Sequence, residues 1–150
     1  MSLTPSTIRS AMTGVLAARY PAMTVEAHGG SFTEREVPVL LAKAPAVLVA
    51  CTRISGLHIG EDASLWRADL GMALYVFGVD TATTDRDVLA LDTVFDLLTF
   101  LPAQRWGLNE ARIMEESSIT ADNLYTGHVN LLRIAVWGVT WTQTFQTLNL

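Results

Sequence analysis

At 150 residues, half of them apolar, the chain suits one domain that buries about 70% of its unfolded surface, and it is too hydrophobic for a disordered segment. A net charge of −5, with one lysine (Lys43) and scattered arginines, argues against phosphate-backbone binding as the main activity, since that affinity comes from clustered Lys and Arg. The single cysteine, Cys51, excludes an internal disulfide and a cysteine-rich zinc site and fits assembly in a reducing compartment; no apolar run approaches the roughly 18 residues of a membrane span, and no signal-peptide pattern is expected at the N-terminus.

Thr4-Pro5 reads as an N-cap followed by proline in the first helical turn. Ile8, Met12, Val15 and Leu16 then recur at helical spacing until Tyr20-Pro21 forbids continuation. The spacing predicts an amphipathic helix over about residues 5–19 that packs on a sheet. Met23, Val25 and Ala27 alternate with Thr24, Glu26 and His28, the pattern of a half-buried strand closed by Gly29-Gly30. Between Phe32 and Lys43, Pro38 is acceptable at a helix start and would let Val37, Leu40 and Leu41 face inward, so a short helix is expected there.

Residues 44–51, Ala-Pro-Ala-Val-Leu-Val-Ala-Cys, are the stretch around which the rest can be arranged. Pro45 pushes Ala44 toward extended geometry, so a preceding helix stops here. The uncharged run from 46 to 50 suits a strand central to its sheet; a short buried helix competes, but the run is brief and holds two valines. Cys51, at the end of that run, reads as an inert small hydrophobe.

Residues 52–64 are polar and marked by Gly56 and Gly60, yet they hold Ile54, Leu57 and Ile59 without an evident core to join. A hairpin loop packed loosely on its own domain is one reading, and a contact arm for another chain is the other. Residues 65–79 read as a long strand with Trp66, Ala68, Leu70, Met72, Leu74 and Val76 on one face. The opposite face changes from Arg67 and Asp69 to Ala73, Tyr75 and Phe77, as in a strand whose first half leaves the core. Gly71 is the expected place for a bend or bulge.

Thr84-Asp85-Arg86-Asp87 resembles a capping box, followed by Val88, Leu91, Phe95 and Leu98 at helical spacing until Leu101-Pro102. Val94 and Leu101 flank that stripe. Trp106-Gly107 is a turn, residues 112–119 alternate as a strand wet on much of its surface, and residues 129–141 form the last strand. Residues 143–150 are uncharged but keep Phe145, Leu148 and Leu150; they are read as a flexible tail, frayed or packed on a neighbouring subunit. The order predicts a single α+β domain, with a mostly antiparallel sheet and two main helices on one face.

No catalytic constellation emerges. His28, His58 and His128 are dispersed, with no pair at metal-ligand spacing on a helix, and Gly29-Gly30-Ser31 lacks the flanking glycine of a nucleophile elbow. Glu115 and Glu116 are adjacent and on a strand would point to opposite faces. No catalytic, metal or cofactor residue is assigned. The four tryptophans, Trp66, Trp106, Trp137 and Trp141, read first as core and second as an interface.

Several segments together resemble the tail terminator (tail completion) proteins of Mu-like and related tailed phages. They are the Ile8-Arg9 helix, Phe32-Thr33-Glu34-Arg35-Glu36-Val37-Pro38, and above all Lys43-Ala44-Pro45-Ala46-Val47-Leu48-Val49. Tyr75-Val76-Phe77, the Arg86 helix ending before Trp106-Gly107, and Leu132-Arg133-Ile134-Ala135-Val136-Trp137 continue the pattern over roughly residues 8–140. These are packing patterns held by order and spacing, and the uncharged tail after Trp141 departs from them. The resemblance implies a non-enzymatic virion protein at the head-proximal end of the tail, assembled in the host bacterial cytoplasm. Such proteins form a homo-oligomeric ring, commonly a hexamer, that caps the tail tube and stops its growth. The ring offers a surface for head joining, with the tube protein, a sheath terminal ring and a head-completion or neck protein as partners. DNA only passes through, and an acidic lumen would repel its phosphates.

A ring contact needs two different patches on one protomer. The candidates are Ile54, Leu57, His58, Ile59 and Glu61 of the arm, and Phe145, Leu148 and Leu150 of the tail. Another head–tail joining protein, or a small ligand-binding domain or enzyme, are the alternatives.

Overall fold

The computed structural model describes residues 3–30, 36, 39, 42–61, 65–124 and 133–147. The expected short helix between 32 and 43 and the first part of the expected last strand fall mostly outside them.

Thr4, in extended backbone, closes a capping box with Thr7. The Thr7 N–H donates to Thr4 Oγ1 at 3.2 Å and the Thr4 N–H to Thr7 Oγ1 at 2.8 Å. With Pro5 in the first turn, these set helix α1, Pro5–Arg19, whose Ile8, Met12 and Leu16 are fully buried. Strand β1, Thr24–Ala27, pairs parallel with β2, Ala46–Ile59. Strand β3, Trp66–Val79, returns antiparallel to β2, and helix α2, Arg86–Phe100, follows. Strands β4, Thr120–Asn123, and β5, Ile134–Gln146, complete a five-stranded sheet of order β1-β2-β3-β5-β4. Every neighbouring pair except β1 with β2 is antiparallel. The fold is α+β, as the sequence predicts.

Both helices contribute to one apolar layer. Ile8, Met12 and Leu16 of α1 and Val94 and Leu97 of α2 share a cluster with Val47, Val49, Leu74, Val76, Val139 and Trp141 of the sheet. On the other face Ala46, Leu48, Phe77, Ile134 and Val136 form a second cluster. Residues 46–50 are therefore buried throughout, which is why that run carries no charge. The helices are also tied to each other. Arg19 donates from Nε and Nη2 to the two carboxylate oxygens of Asp96, both at 2.8 Å, and lies over the Phe100 ring at 4.1 Å, while the Tyr20 hydroxyl donates to the same carboxylate.

The Arg19 hydrogen bonds, with that of Tyr20, hold the Asp96 carboxyl below its ordinary range despite partial burial. A depressed carboxyl stabilises the fold above its unfolded pKa, and that contribution is lost as pH falls through the folded value. Asp96→Asn is expected to lower the thermal midpoint at pH 7 by about 2–4 °C, discounting for exposure. The gap to wild type should begin to narrow below pH about 4 and go on closing as pH falls through the lower folded value; a gap unchanged at pH 3 would sink this account.

Three local expectations are corrected. The predicted capping box at 84–87 does not form: Asp85 is the N-cap without a side-chain bond, and the Arg86 N–H instead donates to Asp80 Oδ1 at 2.9 Å. The strand expected over 112–119 is irregular. Ala111 bridges to Phe145, Arg112 donates its N–H to Thr144 O, and a turn of 3-10 helix at Glu116–Ser118 leads into the short β4. Finally, residues 143–146 are strand, not a flexible tail.

The anchor of that strand is Gln143, 1% exposed. Its Oε1 accepts from Trp106 Nε1 at 2.9 Å and Trp141 Nε1 at 3.4 Å. Its Nε2 donates to Gln104 O at 3.0 Å and Arg112 O at 2.7 Å. Both amide hydrogens and both carbonyl lone pairs are used. The two indoles stack at 6.1 Å, so Trp106 and Trp141 are core residues.

Candidate functional site: two unpartnered apolar surfaces

The first surface is the far half of the β2–β3 hairpin. The sequence reading placed a loop at 52–64, but β2 continues to Ile59 and its residues pair with β3: Ile54 with Leu70, His58 with Arg67, Ile59 with Trp66. Register shifts between Cys51 and Arg53 and between Ser55 and His58 interrupt the ladder. The first lies opposite Gly71, where a Cβ would meet Arg53 Cβ at 3.0 Å, so the bulge expected there forms in the partner strand. At the second, Gly56 adopts φ +59°, a left-handed conformation that a side chain disfavours. The arm is the outer end of β2: Ile54, Leu57 and Ile59 are 56%, 60% and 56% exposed, while Ala68 and Leu70 of the paired β3 stay in the core. Strand alternation puts Leu57 and Ile59 on one face, and His58 and Arg67 on the other. Glu61 is exposed just past the end of β2.

The second surface was missed in the sequence. Along the stripe Val88, Leu91, Phe95 and Leu98, the first three are exposed at 48%, 50% and 67%, and only Leu98 packs against the core. The buried side of α2 is instead Ala90, Thr93, Val94 and Leu97. Close approach decides this. A Cβ at Gly78 would strike the Arg86 carbonyl and lie 2.9 Å from Ala90 Cβ, so α2 sits against β3 through its small residues. The available signal was that the helix carries two apolar stripes, more than one interface can use. Between α2 and β5 runs a groove lined by Asp87, Leu91, Ile134 and Trp137.

The tail candidates do not join either surface. Phe145 is fully buried in its own core, because β5 carries it inward beside Trp141, so it is not an interface residue. Leu148 and Leu150 lie outside the described residues, as does His128. His28 sits at the end of β1, with Nε2 3.4 Å from Glu36 and its ring edge-on to Tyr75, while His58 is out on the arm. Among the described residues no group of three His, Cys, Asp or Glu converges on a metal position, and no helix is long and apolar enough to cross a membrane.

The class defined by the fold is thus an α+β sandwich, with one sheet and two helices among the described residues and large apolar side chains exposed on α2 and on the outer end of β2. No protein-family model and no curated protein matches the chain.

Proposed function

We propose that the chain is a ring-forming structural protein of a phage tail, a tail terminator that caps the tube and ends its polymerisation. The observation that carries this reading is the arm. Three large apolar side chains stand more than half exposed on the outer end of β2, beside a part of β3 that stays paired with β5 and keeps Ala68 and Leu70 buried. Exposed apolar side chains gathered on one strand edge suit a subunit that must grip a neighbour. The resemblance in segment order and spacing supplies the biological setting, and the acidic balance of −5 suits a channel that lets DNA pass without adhering. The ring would be homo-oligomeric, most simply a hexamer, with the tube protein on one side and a neck protein on the other.

The test is the length of tubes assembled from the same phage's tube subunits, measured by electron microscopy with and without this protein. Capping predicts tubes that stop growing once the protein is added. Growth unaffected by a molar excess removes the terminator reading. Leu57→Asp with Ile59→Asp is expected to abolish ring formation while leaving the circular dichroism spectrum intact. Unchanged oligomer mass and unchanged tail assembly would remove the arm from the contact.

A further inference from the structure

The two exposed apolar surfaces lie at opposite ends of the sheet. The arm ends where Ile59 pairs with Trp66, at the start of β3, while the groove beside α2 borders Ile134, which pairs with Val79 at the other end of that strand. The 14 residues of β3, at about 3.3 Å per residue, separate them by about 40 Å. One chain cannot fold its own arm into its own groove.

We infer that the arm of one copy seats in the groove beside α2 of a second copy, a head-to-tail contact. The inference rests on the ring reading above and names the acceptor surface which that reading lacks. Leu57 and Ile59 supply the apolar insert, and Val88, Leu91 and Phe95, with the groove wall at Trp137, supply the receiving face. The flanking charges are complementary on balance: the acceptor helix carries three exposed aspartates against Arg86, which lines the groove and pairs with Asp80, and the arm carries two arginines, Arg67 on the face opposite Leu57, against one glutamate. Arg53 and Arg67 on the arm are exposed, as are Asp85, Asp87 and Asp92 on α2, and none of the five has an ion pair among the described residues. Such rim charges set the direction of approach and the rate of encounter more than the final affinity. Glu61, just past β2, is the opposing charge on the arm. Because donor and acceptor are different patches, the contact is heterologous, and it forms a ring when the rotation between copies closes.

The test uses two variants of the full chain and no tube protein. Leu57→Asp/Ile59→Asp removes the donor, and Leu91→Asp/Phe95→Asp removes the acceptor; all four side chains are exposed, so both variants should fold, as checked by circular dichroism. Light scattering coupled to size exclusion should find each variant monomeric alone. Mixed, they should form a 1:1 dimer, twice the monomer mass, since one intact arm still meets one intact groove. Self-assembly of the acceptor variant at the wild-type mass, or no dimer on mixing, overturns the contact.

For a contact too weak to survive the column, Ile59→Cys and Leu91→Cys chains in a Cys51→Ser background are mixed under air oxidation. Mixed disulfide in several-fold excess over either homodimer is expected, and an equal or greater yield of homodimers overturns the proposal. The tube assay separates the two readings. Dimers on mixing with unaffected tube growth would keep this contact and remove the terminator function. Tube growth halted by the acceptor variant as well as by wild type would keep the function and remove the contact.

Discussion

Replacing Gln143 by leucine is expected to cost about 4 kcal/mol, a large part of a typical domain's stability. The side chains are close in size, so the loss is not one of volume. It comes from four polar groups left without partners: the indole N–H of Trp106 and of Trp141, and the carbonyls of Gln104 and Arg112. Each unpaired group costs about 1–3 kcal/mol where water does not enter, and partial relaxation keeps the sum below the maximum. Urea unfolding followed by tryptophan fluorescence measures it. Combining Gln143→Leu with Trp106→Phe should cost less than the two changes added, because the second removes a donor that the first stranded. A loss under about 1 kcal/mol, or strict additivity, would mean that the network is not held by the amide.

The second large effect is at Gly78. A methyl group there meets the backbone of α2 at Arg86 and Ala90 Cβ at 2.9 Å, and neither is the free end of a flexible side chain. Helix α2 would have to lift from the sheet and loosen the packing of Val94 and Leu97 behind it. Gly78→Ala is expected to cost about 3 kcal/mol, the upper part of the range for overpacking. Gly14 provides the contrast. It lies within α1, where a Cβ meets nothing within 4 Å, so Gly14→Ala should stabilise by up to about 1 kcal/mol. The same chemical change would then have opposite signs at the two sites. Thermal unfolding of both variants is the check, and equal effects would refute the close-approach explanation.

Gly78 also explains why half of the candidate site was illegible in the sequence. The spacing of Val88, Leu91, Phe95 and Leu98 located a helix correctly, but periodicity cannot say which of two apolar stripes meets the sheet. The strand's missing Cβ selects the stripe of Ala90, Val94 and Leu97 and leaves the larger one in solvent. Elements with local causes were legible. Thr4 and Pro5 start α1 and Tyr20-Pro21 ends it, and the charge-free run at 46–50 is a central strand. The changing faces of β3 were half right: Arg67 is exposed, but Ala68 and Leu70 on the opposite face stay in the core, so the first half does not leave it; Gly71 does lie opposite a bulge. What depended on distant partners was not legible. Gln143 looks like the start of a polar tail until Trp106, nearly forty residues earlier in the chain, is brought beside it. The pattern at 112–119 alternates like a strand because one end of it does lie along β5, through Ala111 and Arg112.

The interrupted ladder of the arm bears on how the protein survives at high concentration. Strand β1 covers only residues 46–49 of β2, so among the described residues the outer edge of β2 from 52 to 59 has no neighbouring strand. A long flat edge of that kind is a template on which strands of other molecules add without limit, ending in fibres. Two register shifts within a few residues, a left-handed glycine and the charge of Arg53 spoil that template, because an incoming strand loses step at each bulge. The same ribbon can therefore present sticky side chains and still refuse to propagate as a growing sheet.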